Sequence, residues 1–587
     1  MRKLGDSMKQ MKTDVLIIGS GAAGMRAAIE ASQTASVIII SKGCSGYDGA
    51  TVTAQADVAV DSAFCCTELG LKGDTNDSPE KFAEDMLREG EFIGDEDLIY
   101  AHVKNARKEV ARLYHKGVSI MGLVHNPGHS SPRGVWISGV ELARSLKREL
   151  AGISSIRKLD YTVLIDIVLT DGIAAGVIAL DFLKGEVFYI AAKAVVLCSG
   201  GAMGLYPYVT APDGLSGDGI AAAFRCGAEL TDMEFPMFLP YSILTPDILS
   251  GVTFTHDLTM TLNVYALNRE GQRYMEKWSD DLEHTTRDIN ATAAGYEIYA
   301  GRGSKNGGVY ISLTHIPQNI IDYASEWFPK TLANWRCGGL DLKKYLPDIT
   351  KNAIETIPAC HFWNGGIKVT INGSTNIPGL YAGGEGIAGV HGANRISGNG
   401  VTQALVWGAI AGQSAAEWAK KNKMVSAVND VPDLVGKASA LLNNVDGEDP
   451  VQLKQNIQKT AWENIGLIRS AEQVERCISN LQSIKDKVMN QGLRSPKSEA
   501  NLDKLLILQN RNLYDVAQLI CTAVTERKES RGAHFRLDYQ ETDDSQWVKN
   551  IVLSKDNDGI RVRIVPANNS VGRTPPSVKR PYGVKRR

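Results

Sequence analysis

Residues Thr13 to Lys42, TDVLIIGSGAAGMRAAIEASQTASVIIISK, constrain the fold more than any other stretch of the chain. Asp14–Ile18 is an apolar run of the kind that forms a buried strand. Gly19-Ser20-Gly21-Ala22-Ala23-Gly24 follows at once. Met25–Gln33 is rich in Ala and Glu and predicts a helix, and Val37–Ile40 is a second β-branched run. Strand, glycine turn, helix and strand within about 30 residues is the context in which GxGxxG binds a dinucleotide. Gly19 permits the tight turn, Gly21 lets the backbone approach a pyrophosphate, and Gly24 allows close helix–strand contact. The helix N-terminus then points its free N–H groups at the phosphates. The plainer alternative is a glycine-rich turn in an α/β domain that binds nothing.

With 587 residues, 43% of them hydrophobic, the chain can bury a large core and is expected to hold more than one domain. A net charge of −2 gives no electrostatic case for nucleic acid. The nine cysteines (Cys44, Cys65, Cys66, Cys198, Cys226, Cys337, Cys360, Cys477 and Cys521) are scattered and contain no CxxC. That argues against a disulfide framework, an iron–sulfur cluster or a metal site within the chain. It also points to a reducing, cytoplasmic compartment. No apolar signal region opens the chain and no apolar run reaches membrane-spanning length, so the expectation is a chain that is not itself transmembrane.

Asp77–Gly117 has helical spacing, with Asp77-Ser78-Pro79-Glu80 as its start. Asp160–Ala175 and Gly176–Phe188 read as a hairpin with turn chemistry at Asp171-Gly172, and Ala194–Cys198 as a separate buried strand ending in Ser199-Gly200-Gly201. Composition turns more polar and aromatic from Tyr241 to about Thr356, which reads as an inserted second domain. Ile377–Gln413 returns to glycine-rich α/β character, and Val431–Arg531 is almost entirely helical in period. The expected division is 12–240 and 357–415 for one dinucleotide domain, 241–356 for the insertion, 416–570 for a helical domain and 571–587 for a basic, disordered tail.

A site for NAD usually carries Asp or Glu at the end of the second strand, where this chain has Ser41-Lys42. The lysine could indicate NADP. The late element Ala382-Gly383-Gly384-Glu385 instead suggests a longer cofactor touched by both ends of the chain, as FAD would be.

From Thr13 to about Pro566 the chain resembles the flavoprotein subunit of the fumarate reductase/succinate dehydrogenase family, which includes L-aspartate oxidase. The resemblance lies in GSGAAG at Gly19–Gly24, SKG at Ser41–Gly43, GHSSPR at Gly128–Arg133, SGG at Ser199–Gly201 and Ser216–Phe235. It continues in Arg287-Asp288, HFWNGGI at His361–Ile367, GLYAGGE at Gly379–Glu385, HGANRISGN at His391–Asn399 and Arg531–Trp547. It implies an α/β fold: a Rossmann-like FAD-binding domain, an inserted α+β capping domain and a C-terminal helical domain. It implies FAD bound by Gly19, Ser20, Gly21, Ala23, Gly24, Ser41, Lys42, Gly43, Thr51, Gln55, Gly200, Asp218, Glu385 and Asn399. It implies hydride exchange between flavin and a carboxylate, with Arg287 moving the proton and His361 and Arg395 clamping the substrate. The plainer alternatives are Arg287 paired with Asp288 or Glu283, His361 satisfied in the core and Arg395 bonded to loop carbonyls.

The departures from the family pattern matter as much. Where dicarboxylate-using members carry QFHPT, this chain has Met237-Phe238-Leu239-Pro240-Tyr241, so Leu239 replaces the substrate histidine. A Thr-Glu pair becomes Thr255-His256, the candidate substrate-binding pair here. Ala50 precedes Thr51 where covalently flavinylated members have histidine, which implies non-covalent FAD. Ala56-Asp57 stands where members usually have two glycines. The expected substrate is therefore a carboxylate or acyl compound with a less polar second end. Lacking cluster ligands of its own, the chain is expected to pair with an iron–sulfur subunit; direct use of oxygen, as in L-aspartate oxidase, and an electron relay without a small substrate are the other readings.

Overall fold

The computed structural model describes residues 11–253, 263–321, 348–425, 430–557 and 559–568. Strand β1 (Met11–Ile18), helix α1 (Ala22–Ala31) and strand β2 (Val37–Ile40) form around the glycine turn. β1 and β2 pair in parallel, Val15 opposite Val37 through Ile18 opposite Ile40. All eight of these side chains are buried, so both strands read as unbroken apolar runs rather than alternating ones.

These strands lie in a seven-stranded sheet of order Ile156–Leu159, β2, β1, Glu186–Leu197, Ile173–Asp181 and Thr162–Thr170, with Leu380–Ala382 also paired to Glu186–Leu197. Strand Glu186–Leu197 is the hub. It begins antiparallel to Ile173–Asp181 and ends parallel to both β1 and Leu380–Ala382. The sequence reading separates a hairpin ending at Phe188 from a strand at Ala194–Cys198. The structure joins them, because Tyr189–Ala192 are buried and continue the ladder. The turn at Asp171-Gly172 is as expected, with φ of 51° and 76°.

A second, antiparallel sheet has the order Pro236–Ile243, Ile354–Trp363, Val309–Ser312, Tyr265–Leu267. The limits expected for the insertion fall inside its first two strands, which are direct neighbours. Helix Arg287–Tyr299 packs across this sheet, where the Tyr241 hydroxyl donates to Asn290 Oδ1 at 2.8 Å. Beyond residue 430, helices Val431–Leu441, Pro450–Ile465, Ala471–Met489 and Leu502–Glu526 follow the helical period. Lys549–Asp556 and Gly559–Pro566 depart from the helical expectation. They form a hairpin whose first strand pairs with Leu230–Thr231. The alternation in Arg561–Val565 is the period-two signal for it. The basic tail at 571–587 lies outside the described residues. Among the described residues no helix is long and apolar enough to cross a membrane.

Helix Asn399–Lys421 crosses α1 at backbone distance. A Cβ on Gly408 would lie 2.4 Å from the Ala23 carbonyl oxygen, and one on Gly412 2.2 Å from that of Ala27. Proximity, not an unusual φ, requires glycine at both positions. Gly408→Val should therefore force the helices apart and cost about 3 kcal/mol of unfolding free energy. Urea denaturation measures it, and an unchanged midpoint would show that this contact does not bear on stability.

Candidate active site

The glycines of the turn are required for different reasons. Gly19 has a φ of +102°, and a Cβ there would lie 2.3 Å from the Cys198 carbonyl oxygen. A Cβ on Gly24 would lie 1.9 Å from the Gly19 oxygen. Gly21 meets only Thr51 Oγ1, at 3.4 Å, and faces open space. Packing therefore demands Gly19 and Gly24, whereas Gly21 leaves room for a ligand. The N-cap residue of α1, Gly21, offers no side chain, and the Ala22 N–H donates to Thr51 Oγ1 at 2.9 Å.

A cavity of about 550 Å³ opens in front of this turn. Gly19, Ser20, Gly21 and Ala23 line it from the turn, and Ser41, Lys42 and Gly43 from the end of β2. Thr51, Gly200, Asp218 and Glu385 reach it from later segments. The Ser20 and Ser41 hydroxyls are 2.6 Å apart. Lys42 pairs with Asp218 at 2.6 Å and donates to the Gly214 carbonyl at 2.7 Å. This lysine is thus engaged within the protein, which weakens the NADP reading of it. Gly24 and Asn399 do not line the cavity. Asn399 is buried, with Oδ1 2.9 Å from His102 Nε2 and Nδ2 donating to the Ile396 and Ser397 carbonyls. Gln55 opens β3 (Gln55–Ala59), and its side chain lies outside the described residues. A helix N-terminus behind a glycine that leaves space, and a cavity reached from both halves of the sequence, fit FAD.

A second cavity, of about 240 Å³, shares Ala22, Ala50, Thr51, Thr53, Glu385 and Ala404 with the first. It brings together Arg287, His361 and Arg395, each from a different element. Arg287 is the first residue of its helix, a position that opposes the helix dipole, so helix stability does not explain it. Its Nη2 donates to Ser397 Oγ at 2.8 Å. The Ser397 carbonyl lies 2.9 Å from His129 Nε2. Burial pushes His129 down to about 4, so it is a neutral donor. Arg133 of the same GHSSPR stretch is a buried brace, forked onto Asp77 at 2.8 and 2.6 Å and bonded to Asp85.

His361 lies on strand Ile354–Trp363 with Nδ1 2.7 Å from Thr210 Oγ1, and it is only partly buried. The Arg395 guanidinium sits 4.4 Å from the Phe362 ring centroid, 6% exposed. Its Nε has no hydrogen-bond partner, and no bond from Arg395 to a loop carbonyl exists among the described residues. Burial first, and then the neighbouring charge of Arg287, push Arg395 down to about 9, while Glu385 and Asp57 pull it back. Burial pushes Glu385 up to about 7, against the Trp363 N–H that it accepts at 3.0 Å and the Arg395 charge. Of the plainer partners for Arg287, Glu283 is forked by Arg273 and Asp288 accepts from Asn394 at 3.1 Å. Leu239 and Asp57 line the same cavity. Thr255 and His256 lie outside the described residues. Sequence reasoning missed Thr210 and Ser397. Ser397 sits two residues beyond Arg395 within HGANRISGN, a signal that was there to use; Thr210 is remote from His361 in sequence and carried none.

Residues 14–401 match the FAD binding domain family model, and residues 454–581 match the fumarate reductase flavoprotein C-terminal model. One subunit of the fumarate reductase (CoM/CoB) of Methanothermobacter marburgensis is 32% identical, the alignment covering 92% of this chain and 97% of that one. The fumarate reductase flavoprotein subunit of Mycobacterium tuberculosis is 28% identical over 97% and 99%. Among solved structures, a mutant of E. coli quinol fumarate reductase FrdA superposes with a TM-score of 0.83 at 25% identity, covering 98% of this chain and 99% of that one. With an FAD-binding domain facing a cavity of convergent cations, and these relatives along nearly its whole length, the chain belongs to the FAD-dependent oxidoreductases of the fumarate reductase/succinate dehydrogenase flavoprotein family.

Proposed function

We propose that this chain exchanges a hydride between non-covalently held FAD and a small carboxylate, and passes electrons to or from a separate iron–sulfur protein. The observation that carries this reading is Arg395: a buried guanidinium with an unsatisfied Nε, beside Arg287, in a cavity adjoining the dinucleotide turn. A buried cation of this kind is costly until an anion meets it, and a carboxylate matches its fork. When bound, FAD supplies the two-electron chemistry. The glycine turn, Ser41–Gly43, Thr51, Gln55, Gly200, Asp218 and Glu385 form its cradle, and Asn399 holds the Ile396–Ser397 loop rather than the cofactor. Arg395 and His361 hold the substrate carboxylate, with Thr210 orienting the imidazole. Arg287, steadied by Ser397, delivers the proton to the substrate carbon.

Ala50 lines the wall common to both cavities and offers no nucleophile for a flavin bond, which supports non-covalent attachment. Leu239 supports a substrate whose second end is less polar than a carboxylate. Relatives named as flavoprotein subunits support a multichain assembly, and the chain's own cysteine spacing supplies no cluster motif.

Three outcomes test these assignments. Gly21→Val should leave the fold intact and weaken FAD binding at least about tenfold, since the side chain occupies ligand space rather than protein space; flavin titration of the apoprotein reads this, and unchanged affinity would move the cofactor elsewhere. Arg287→Ala should retain FAD and lose roughly a thousandfold in turnover of a carboxylate substrate; retained turnover would remove Arg287 from the proton's path. Purified from its own host, the protein should release its yellow colour on acid precipitation and bring an iron-containing partner with it. A coloured pellet would indicate a covalent flavin, and an iron-free single chain that reduces oxygen would indicate a self-sufficient oxidase.

A further inference from the structure

Asp57 stands in the middle of β3, although aspartate is a residue that strands avoid, so local propensity does not account for it. β3 pairs antiparallel with Gly134–Ser138, and Asp57 lies directly opposite Trp136. Side chains opposite each other in such a pair share a face. Both line the substrate cavity. One wall of the cavity is therefore a carboxylate beside an indole, near enough to Arg395 to act on its charge. Asn126 Nδ2 donates to Asp57 Oδ2 at 3.2 Å, which orients a group able to accept several hydrogen bonds at once. Leu239 supplies an apolar surface in the same cavity.

A substrate held by its carboxylate on Arg395 shares this small cavity with the Asp57–Trp136 wall. A second carboxylate arriving there meets the like charge of Asp57, which disfavours it. A neutral group that donates a hydrogen bond meets an acceptor that is already charged, which makes the stronger kind of bond. We infer that Asp57 determines specificity: it rejects dicarboxylates and selects a monocarboxylate whose far end carries a neutral hydrogen-bond donor, an amide or a hydroxyl. This rests on the reading of the cavity as the carboxylate site.

Fumarate and its monoamide share a carbon skeleton and nearly a shape, and differ in the charge and the donor at one end. The test compares them on the FAD-loaded full chain with its co-purified partner. Dissociation constants come from perturbation of the oxidised flavin absorbance, and kcat/KM from turnover with a reduced viologen. The wild-type chain should favour the monoamide at least about tenfold in both measurements. Asp57→Asn should bring the two within about threefold, mainly by tightening fumarate. Asp57→Ser gives a second variant, and the wild-type ratio needs no variant at all. Fumarate bound as tightly as the monoamide by the wild type, or a ratio that survives in both variants, overturns the inference and leaves the carboxylate site standing. If neither compound perturbs the flavin or is turned over, the carboxylate reading falls and the inference with it.

Discussion

The contact between α1 and helix Asn399–Lys421 is the constraint on which the two cavities depend. It is made by backbone, with Gly408 and Gly412 against Ala23 and Ala27, so no rotamer can relax it. α1 begins at the phosphate-type turn, and the facing helix begins just after Arg395. Gly384, with a φ of +77°, brings the Glu385 loop to the same place, where a Cβ would lie 2.6 Å from that of Ala23. One close-packed contact thus sets the distance between the cofactor cradle, the buried Glu385 and the substrate-facing loop.

The rest of the substrate cavity is positioned by strand pairing. Leu239 and Ala359 are register partners in neighbouring antiparallel strands, so the apolar side chain and the His361–Phe362 segment are carried on one rigid surface. Arg287 enters from a helix lying over that sheet and is held to Ser397 on the loop that carries Arg395. The two guanidiniums consequently share a small buried volume. Their mutual repulsion is part of what depresses Arg395, and it is the physical form of an appetite for an anion.

The motif at Arg531–Trp547 does different work. Arg527 and Arg531 are fully buried and share the Glu529 carboxylate. Arg527 also pairs with Glu234 at 2.7 Å, and Arg531 donates to the Glu91 carbonyl at 2.9 Å. These bonds tie the end of the chain to segments in its first half, and the Ala533 N–H donates at 3.0 Å to the carbonyl of Ala393, two residues before Arg395. Breaking such a pair strands a buried charge, so these arginines act through structural cost.

The strand–turn–helix around Gly19–Gly24 was legible because period, glycine spacing and helix propensity all act within 30 neighbouring residues and agree. The long C-terminal helices were legible for the same reason of strong local period. The continuity of Glu186–Leu197 was not, since a strand that changes partners along its length leaves no mark on its own sequence. The terminal hairpin was overlooked because its alternation is short and its partner, Leu230–Thr231, is some 300 residues away. In the site, Arg287, His361 and Arg395 could be named from motifs, but what surrounds each could not. That Ser397 holds Arg287, that Thr210 meets His361 and that Asp57 shares a cavity with Arg395 were decided by tertiary structure, because hydrogen bonds and charges act through distance in space, which sequence separation does not encode.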